Sequence, residues 1–201
     1  MTYRMLFSDI GGVLLTNGWD TALRNRAAAK FGIDPVDMQN RHEMVFDDFE
    51  RGRLKLDEYL YHIIFYKPRD FTVAEFTDYI FNAASAYPEM IDLLKDLKAK
   101  HGLKVSLLSN EGREIADSRV KRFDLKSFTD YFIISGFVGV RKPDLRIYEL
   151  ALGLCQCKPS EIIYIEDRLQ FVELARSFGI FAVHHVDYPK TRKILEEAFK
   201  K

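Results

Sequence analysis

The sequence predicts an α/β protein: a parallel sheet with helices on both faces, plus a helical segment inserted early in the chain. Three observations predict it. Residues 5–15 read Met-Leu-Phe-Ser-Asp-Ile-Gly-Gly-Val-Leu-Leu, an apolar run that ends at a carboxylate, turns at two glycines and resumes. Residues 16–85 carry helical spacing almost throughout. From Pro88 onward, short apolar runs alternate with amphipathic helical stretches, the pattern of parallel strands joined by helices.

The first strand is expected to be buried and to end at Asp9. Gly11 and Gly12 have no side chain, so the backbone can turn sharply there and a ligand can come close. Ligands of open α/β sheets bind at the carboxyl ends of the strands, which is where Asp9 falls. Asp20 is the expected N-cap of a helix with Leu23, Ala27 and Phe31 on one face and Gly32 as its stop. Asp34-Pro35 opens a second helix, with Met38, Val45 and Phe49 facing inward. Gly52 interrupts the pattern between Arg51 and Arg53. A third helix carries Leu56, Leu60, Ile63 and Ile64 and stops before Pro68. Thr72 and Glu75 form a capping box for a fourth helix to about Ala83. The dense aromatic residues of this stretch, Phe49, Tyr59 and Phe76 among them, read as core between helices. Beyond Pro88 the expected order is helix 88–100, strand 105–108, helix 111–123, strand 131–135 and helix 145–154. Strand 162–165, helix 169–178 and strand 181–184 follow. A last helix from about 188 has Ile194, Leu195, Ala198 and Phe199 as its apolar face.

A chain of 201 residues suffices for one core domain and a small insert. Lys+Arg and Asp+Glu both number 30, so there is no basic field to attract nucleic acid or an anionic membrane. No apolar run is long enough to span a bilayer. Asp9 stands too near the start for a signal peptide to precede it. Cys155 and Cys157 are one residue apart, too close for an unstrained disulfide, and two thiolates alone make no zinc site. They read as free thiols of a cytoplasmic protein. The histidines show no metal-ligand spacing, and His184-His185 reads as structural.

The residues with chemistry to offer follow predicted strands or sit in short motifs. Asp9 lies in an apolar-x-Asp-x-x-Gly-Val pattern. Ser109, followed by Asn110, ends the strand 105–108. Lys142-Pro143 lies in Gly139-Val-Arg-Lys-Pro-Asp144. Glu166-Asp167 follows the strand 162–165. In this order and content the chain resembles the haloacid dehalogenase-like (HAD) superfamily, and its early helical stretch resembles the members with a C1 cap. The resemblance implies a Rossmann-like core from 1–15 and 86–201 and a helical cap from 16–85.

It also implies roles. Asp9 would be the nucleophile. Ser109 would hydrogen-bond a phosphate oxygen, since a hydroxyl donates without adding negative charge. Asn110, Gly11 and the N–H groups opening the next helix would join it. Lys142 would offset the repulsion between a carboxylate and a phosphate dianion. Asp9, the Gly11 carbonyl and Asp167 would ligate Mg²⁺, with Glu166 acting through bound water; oxygen donors suit that ion. Substrate choice would fall to Thr16, Asn17 and Trp19, just after the first strand, and to the Arg51-Gly52-Arg53 turn. Arg141 reads as surface and Asp144 as a helix cap.

Two departures stand out. Phe171 stands near the place of the family's usual Asn. Gly11 stands where family phosphatases carry the Asp that protonates the leaving oxygen. The expected function is a Mg²⁺-dependent hydrolase of a small phosphorylated metabolite, a sugar phosphate or similar. Some Gly-Gly-Val members of the family that resemble this sequence are assigned that activity. A 2-haloacid dehalogenase is one alternative, disfavoured by the acidic pair Glu166-Asp167. A catalytically weak binding protein is the other, favoured by Gly11.

Overall fold

The computed structural model describes residues 2–200. Its centre is β1 (Met5–Ser8), buried along its whole length because a neighbour pairs on each edge and helices cover both faces. The five strands are all parallel, in the order β3-β2-β1-β4-β5. The others are β2 (Lys104–Ser109), β3 (Tyr131–Ile134), β4 (Ile162–Glu166) and β5 (Phe181–His184). Ser8 is level with Leu107 on one side and Ile165 on the other, so the first residues beyond all three strands share one edge. The chain moves outward from β1 in both directions, which opens a crevice there.

Between β1 and the rest lie α1 (Thr21–Phe31), α2 (Pro35–Glu50), α3 (Leu56–Leu60) and α4 (Val73–Asn82). The capping signals act as expected. Asp20 accepts from the N–H of Leu23, Asp34 from that of Val36, and Thr72 with Glu75 forms the reciprocal box. The third helix departs from expectation: after Leu60 it widens into a π-helical turn over Tyr61–Phe65 before ending. These helices share a core of their own, including Ala27, Met38, Phe49, Tyr59, Ile63 and Phe76, which Ile115 joins from outside.

The chain passes to and from this segment along two adjacent strips. Thr16 N–H donates to the Ser85 carbonyl at 2.8 Å and Tyr87 N–H to the Leu14 carbonyl at 2.8 Å. The segment then lies against the sheet side at backbone distance. A Cβ on Gly112 would meet the Phe49 ring at 2.2 Å, and one on Gly52 would meet the Gly136 carbonyl oxygen at 2.0 Å.

The remaining helices are α5 (Pro88–His101), α6 (Arg113–Arg122), α7 (Ser135–Val138), α8 (Leu145–Cys155), α9 (Leu169–Ser177) and α10 (Tyr188–Ala198). One buried cluster joins Leu6, Leu94, Val105, Ile163 and Leu195; another joins Phe7, Leu108, Ile147, Tyr164 and Val172. Successive residues of β1 thus serve opposite layers, as a pleated strand requires. Ser135 opens α7 rather than closing β3, because its hydroxyl binds the Glu111 backbone. In α10 Ile194 is exposed, while Thr191 is buried, 2.8 Å from His185 Nδ1. Among the described residues no helix is long and apolar enough to cross a membrane.

Candidate active site

The site is built on the carboxyl ends of β1, β2 and β4. Asp9 continues β1 by one residue: its N–H donates to the Ile165 carbonyl at 2.9 Å. That bond fixes the backbone and points the side chain beyond the sheet edge. Oδ1 accepts from the Ile10 N–H at 2.7 Å, and Oδ2 lies 3.1 Å from Lys142 Nζ.

Lys142 is fully buried. Its ammonium donates to Glu166 Oε2 at 2.6 Å, the Leu108 carbonyl at 3.0 Å and the Tyr164 hydroxyl at 3.1 Å. Burial alone would lower its pKa, but Asp9 and Glu166 outweigh burial and hold it above the usual lysine range. One ammonium therefore serves two carboxylates, and Asp9 receives only part of its charge. Burial first, and then the Glu166 charge, push the Asp9 carboxyl up to about 6, against the pull of Lys142, Ser109 and the Ile10 N–H.

Glu166 differs from expectation. It is fully buried; Oε2 is bound by Lys142 and Tyr164, and Oε1 accepts from the Arg168 N–H at 3.0 Å. Both oxygens are engaged within the protein, so Glu166 anchors Lys142 rather than facing outward to a metal-bound water. Asn110 lines the same cavity and also holds the Lys142 backbone: its Nδ2 donates to the Lys142 carbonyl and its Oδ1 accepts from the Lys142 N–H, both at 2.8 Å.

Asp9, Glu166 and Asp167 each offer an oxygen within 4.8 Å of the others. Of the three, Asp9 and Asp167 line the cavity at these strand ends, and Glu166 does not. Gly12, at φ +73°, makes room for this: a Cβ there would stand 2.2 Å from Asp167 Oδ2. The cradle is lined by hard oxygens and fits a divalent cation such as Mg²⁺.

A cavity of about 100 Å³ opens above Asp9, with Gly11, Asn17, Trp19, Ser109, Lys142 and Asp167 in its wall. The two arginines of the expected specificity turn are not in that wall. Arg51 pairs with Asp47 at 2.7 Å, and Arg53, 63% exposed, with Asp48 at 2.8 Å. Both are held by acids of the last turn of α2, which ends just before them. Arg141, read from sequence as surface, instead reaches α2: its Nε donates to Glu50 at 2.6 Å and its guanidinium lies over the Phe46 ring. Arg141 and Glu50 both line the cavity.

Other wall residues carried no sequence signal. Glu111 and Arg119 form a buried ion pair, and Arg119 also donates to the Thr16 carbonyl at 2.6 Å, which fixes the strip leading to Asn17 and Trp19. Burial first pushes Glu111 up to about 7; Arg119 opposes this and Asp9 adds to it. His42 enters the wall from α2. Neither pairing follows a sequence period. Only the alignment of His42, Phe46 and Phe49 along one side of α2 could have drawn attention to that helix.

Lys142→Met is expected to lower folding stability by about 3–5 kcal/mol, since it strands two buried carboxylates without a counter-charge. Urea unfolding measures this; an unchanged midpoint would mean that the ammonium offsets nothing.

The site thus joins a carboxylate at the end of the central parallel strand, a buried lysine beside it and a second carboxylate one strand away. The profile of the haloacid dehalogenase-like hydrolases matches residues 3–197, and the chain belongs to that family. It is 27% identical over 192 residues to the sesquiterpene phosphatase astK of Aspergillus oryzae, covering 92% of this chain and 91% of that one. It is 30% identical over 99 residues to a phosphorylated carbohydrates phosphatase of Thermotoga maritima, covering 49% of this chain and 45% of that one. Its fold is shared with an HAD family enzyme of Bacteroides thetaiotaomicron solved with magnesium and inorganic phosphate. That likeness has a TM-score of 0.74 and 20% identity, over 90% of this chain and 93% of the other.

Proposed function

We propose that this hydrolase is a Mg²⁺-dependent phosphatase of a small phosphomonoester, a sugar phosphate or similar, and that residues 16–85 form the cap over a core of 1–15 and 86–201. The observation that carries this reading is the Asp9 carboxylate: it faces a cavity, shares Lys142 with Glu166 and stands within 4.8 Å of Asp167.

In the first step an Asp9 oxygen bonds to phosphorus, the bond from phosphorus to the organic oxygen breaks, and that oxygen takes a proton from water. In the second step water adds to phosphorus, the bond to Asp9 breaks, and inorganic phosphate leaves. Lys142 keeps Asp9 ionised and oriented. Ser109 Oγ–H donates to a phosphate oxygen without adding charge. Asp9, Asp167 and the Gly11 carbonyl would hold the cation, which would neutralise phosphate charge. Relatives whose names specify phosphatases, and a chain of the same fold solved with magnesium and phosphate, support the reading.

The test is a panel of sugar phosphates and nucleotides, with Mg²⁺ and with EDTA. Hydrolysis that chelation lowers by about 10²-fold or more is expected if the cation neutralises charge as metal sites of this kind do. Equal rates in EDTA, or halide release from a 2-haloacid with no phosphate release, would overturn the proposal.

A further inference from the structure

Three residues of the helical segment and its approach strip form a hydrogen-bonded row that ends at the cavity. Trp19 Nε1–H donates to the Tyr59 hydroxyl at 2.7 Å, and the Tyr59 oxygen lies 2.6 Å from Nδ1 of His42. An indole N–H is a donor only, so the Tyr59 oxygen accepts from it. The hydroxyl has one hydrogen of its own. Among the described residues His42 Nδ1 is its one other polar partner, so that hydrogen goes to Nδ1. Nδ1 is therefore an acceptor, and the neutral ring carries its hydrogen on Nε2.

The ring also stays neutral. Burial first, and then the neighbouring Arg24 charge, push His42 down to about 3. The row is held rigidly. Tyr59 is fully buried and stacked on Phe49 at 4.3 Å, and Trp19 meets Phe76 edge-on at 5.8 Å. His42 and Trp19 line the same cavity as Asp9. Among the described residues His42 Nε2 has no hydrogen-bond partner. With Nδ1 occupied, Nε2–H is the polar group His42 has to offer there.

Building on the phosphatase reading, we infer that His42 is a fixed, neutral hydrogen-bond donor that binds an oxygen in the organic part of the substrate. The substrate class is accordingly a hydroxylated phosphomonoester, a sugar or polyol phosphate, rather than a hydrocarbon one. Asp20 and Glu50 in the same wall keep lone pairs beyond those that cap Leu23 and pair with Arg141, and these can accept from such hydroxyls. A terpenyl group would satisfy none of these groups and would cover Nε2–H without pairing it, and a hydrogen bond lost to water and not replaced is costly.

Two measurements test this. Long-range ¹H–¹⁵N spectra of the labelled wild-type protein should show His42 as the Nε2–H tautomer, unchanged between pH 5 and 8. A ring protonated on Nδ1, or one that titrates within that range, overturns the inference. In kinetics, the ratio of kcat/KM for sugar phosphates to that for p-nitrophenyl phosphate should fall about 10–10²-fold in His42→Phe, the scale of one lost buried hydrogen bond. Wild type should likewise prefer sugar or polyol phosphates to prenyl phosphates, which requires no variant to fold. An unchanged ratio in folded His42→Phe, or equal wild-type use of prenyl phosphates, refutes the role of His42 while leaving the phosphatase reading intact. Failure to hydrolyse any phosphomonoester refutes both.

Discussion

Asp9→Asn is expected to lower kcat by about 10⁴–10⁶-fold, the scale on which enzymes lose turnover with their nucleophile, and at the same time to raise the melting temperature. The two effects share one cause. Asp9 is an anion placed where burial and Glu166 oppose it, so its pKa rises from 3.8 to about 6 in the folded protein. A carboxyl with a raised folded-state pKa holds its proton in the folded chain after the unfolded chain has released it. Stability therefore declines as pH rises from about 4 to about 6, and the deficit persists above that. Asn has nearly the same shape and no charge, so the variant is relieved of the deficit. Its gain in melting temperature over wild type should be present at pH 7.5 and vanish near pH 4, both measured without divalent cation. Single-turnover assays with an acid-stable trap for phosphorylated protein measure the chemistry. Turnover by Asp9→Asn at the wild-type rate would remove Asp9 as the nucleophile, whatever its effect on stability.

Gly11→Asp is expected to raise turnover of alkyl and sugar phosphates by up to ~10²–10⁴-fold, the scale of general acid catalysis, and that of aryl phosphates much less. An aryl oxide leaves readily; an alkoxide needs a proton. The structure is permissive at this position. Gly11 is not in the left-handed region, and a Cβ there would meet Asn17 Oδ1 at 3.0 Å, a side-chain contact that a few tenths of an ångström relieve. The same Cβ would lie 3.9 Å from an Arg119 nitrogen, so a carboxylate there would face a cation. Gly12→Ala is the contrasting variant, because its Cβ would stand 2.2 Å from Asp167 Oδ2 at φ +73°. It should lose both activity and stability. Circular dichroism should first establish that Gly11→Asp is folded. If wild type then hydrolyses alkyl and aryl phosphates equally fast in the chemical step, another group already supplies the proton.

The fold was legible because it is written in local periods. β1, β4 and β5 are short apolar runs, and Asp20, Asp34 and Thr72 mark helix starts by chemistry that acts within three residues. The strand ends are legible too: Asp9, Ser109 and Asp167 each follow or close an apolar run, and they fall in one wall. What the sequence hid is how these groups are partnered. Asn110 holds a backbone 32 residues away, Arg141 a glutamate 91 residues away, and Arg119 a carbonyl 103 residues away. Such pairings depend on how the helical segment lies against the sheet, which no spacing encodes. Arg51 and Arg53 were attractive as cations near a turn, but nearby Asp47 and Asp48 claim them first. His42 carries no signal in the sequence, because a lone histidine on an aromatic helix face looks the same there whether or not its ring meets a cavity.

Trp19 is the single tryptophan of the chain. Its indole stands in the cavity wall with its N–H on the Tyr59 hydroxyl. The protein thus contains an intrinsic fluorophore at the place where a ligand would arrive, with no second indole to dilute the signal. Emission excited at the red edge of the indole band should shift in wavelength or intensity as phosphate, vanadate or a sugar phosphate fills the space. Binding can then be followed in real time, without label or turnover, including in Asp9→Asn, where chemistry is silent.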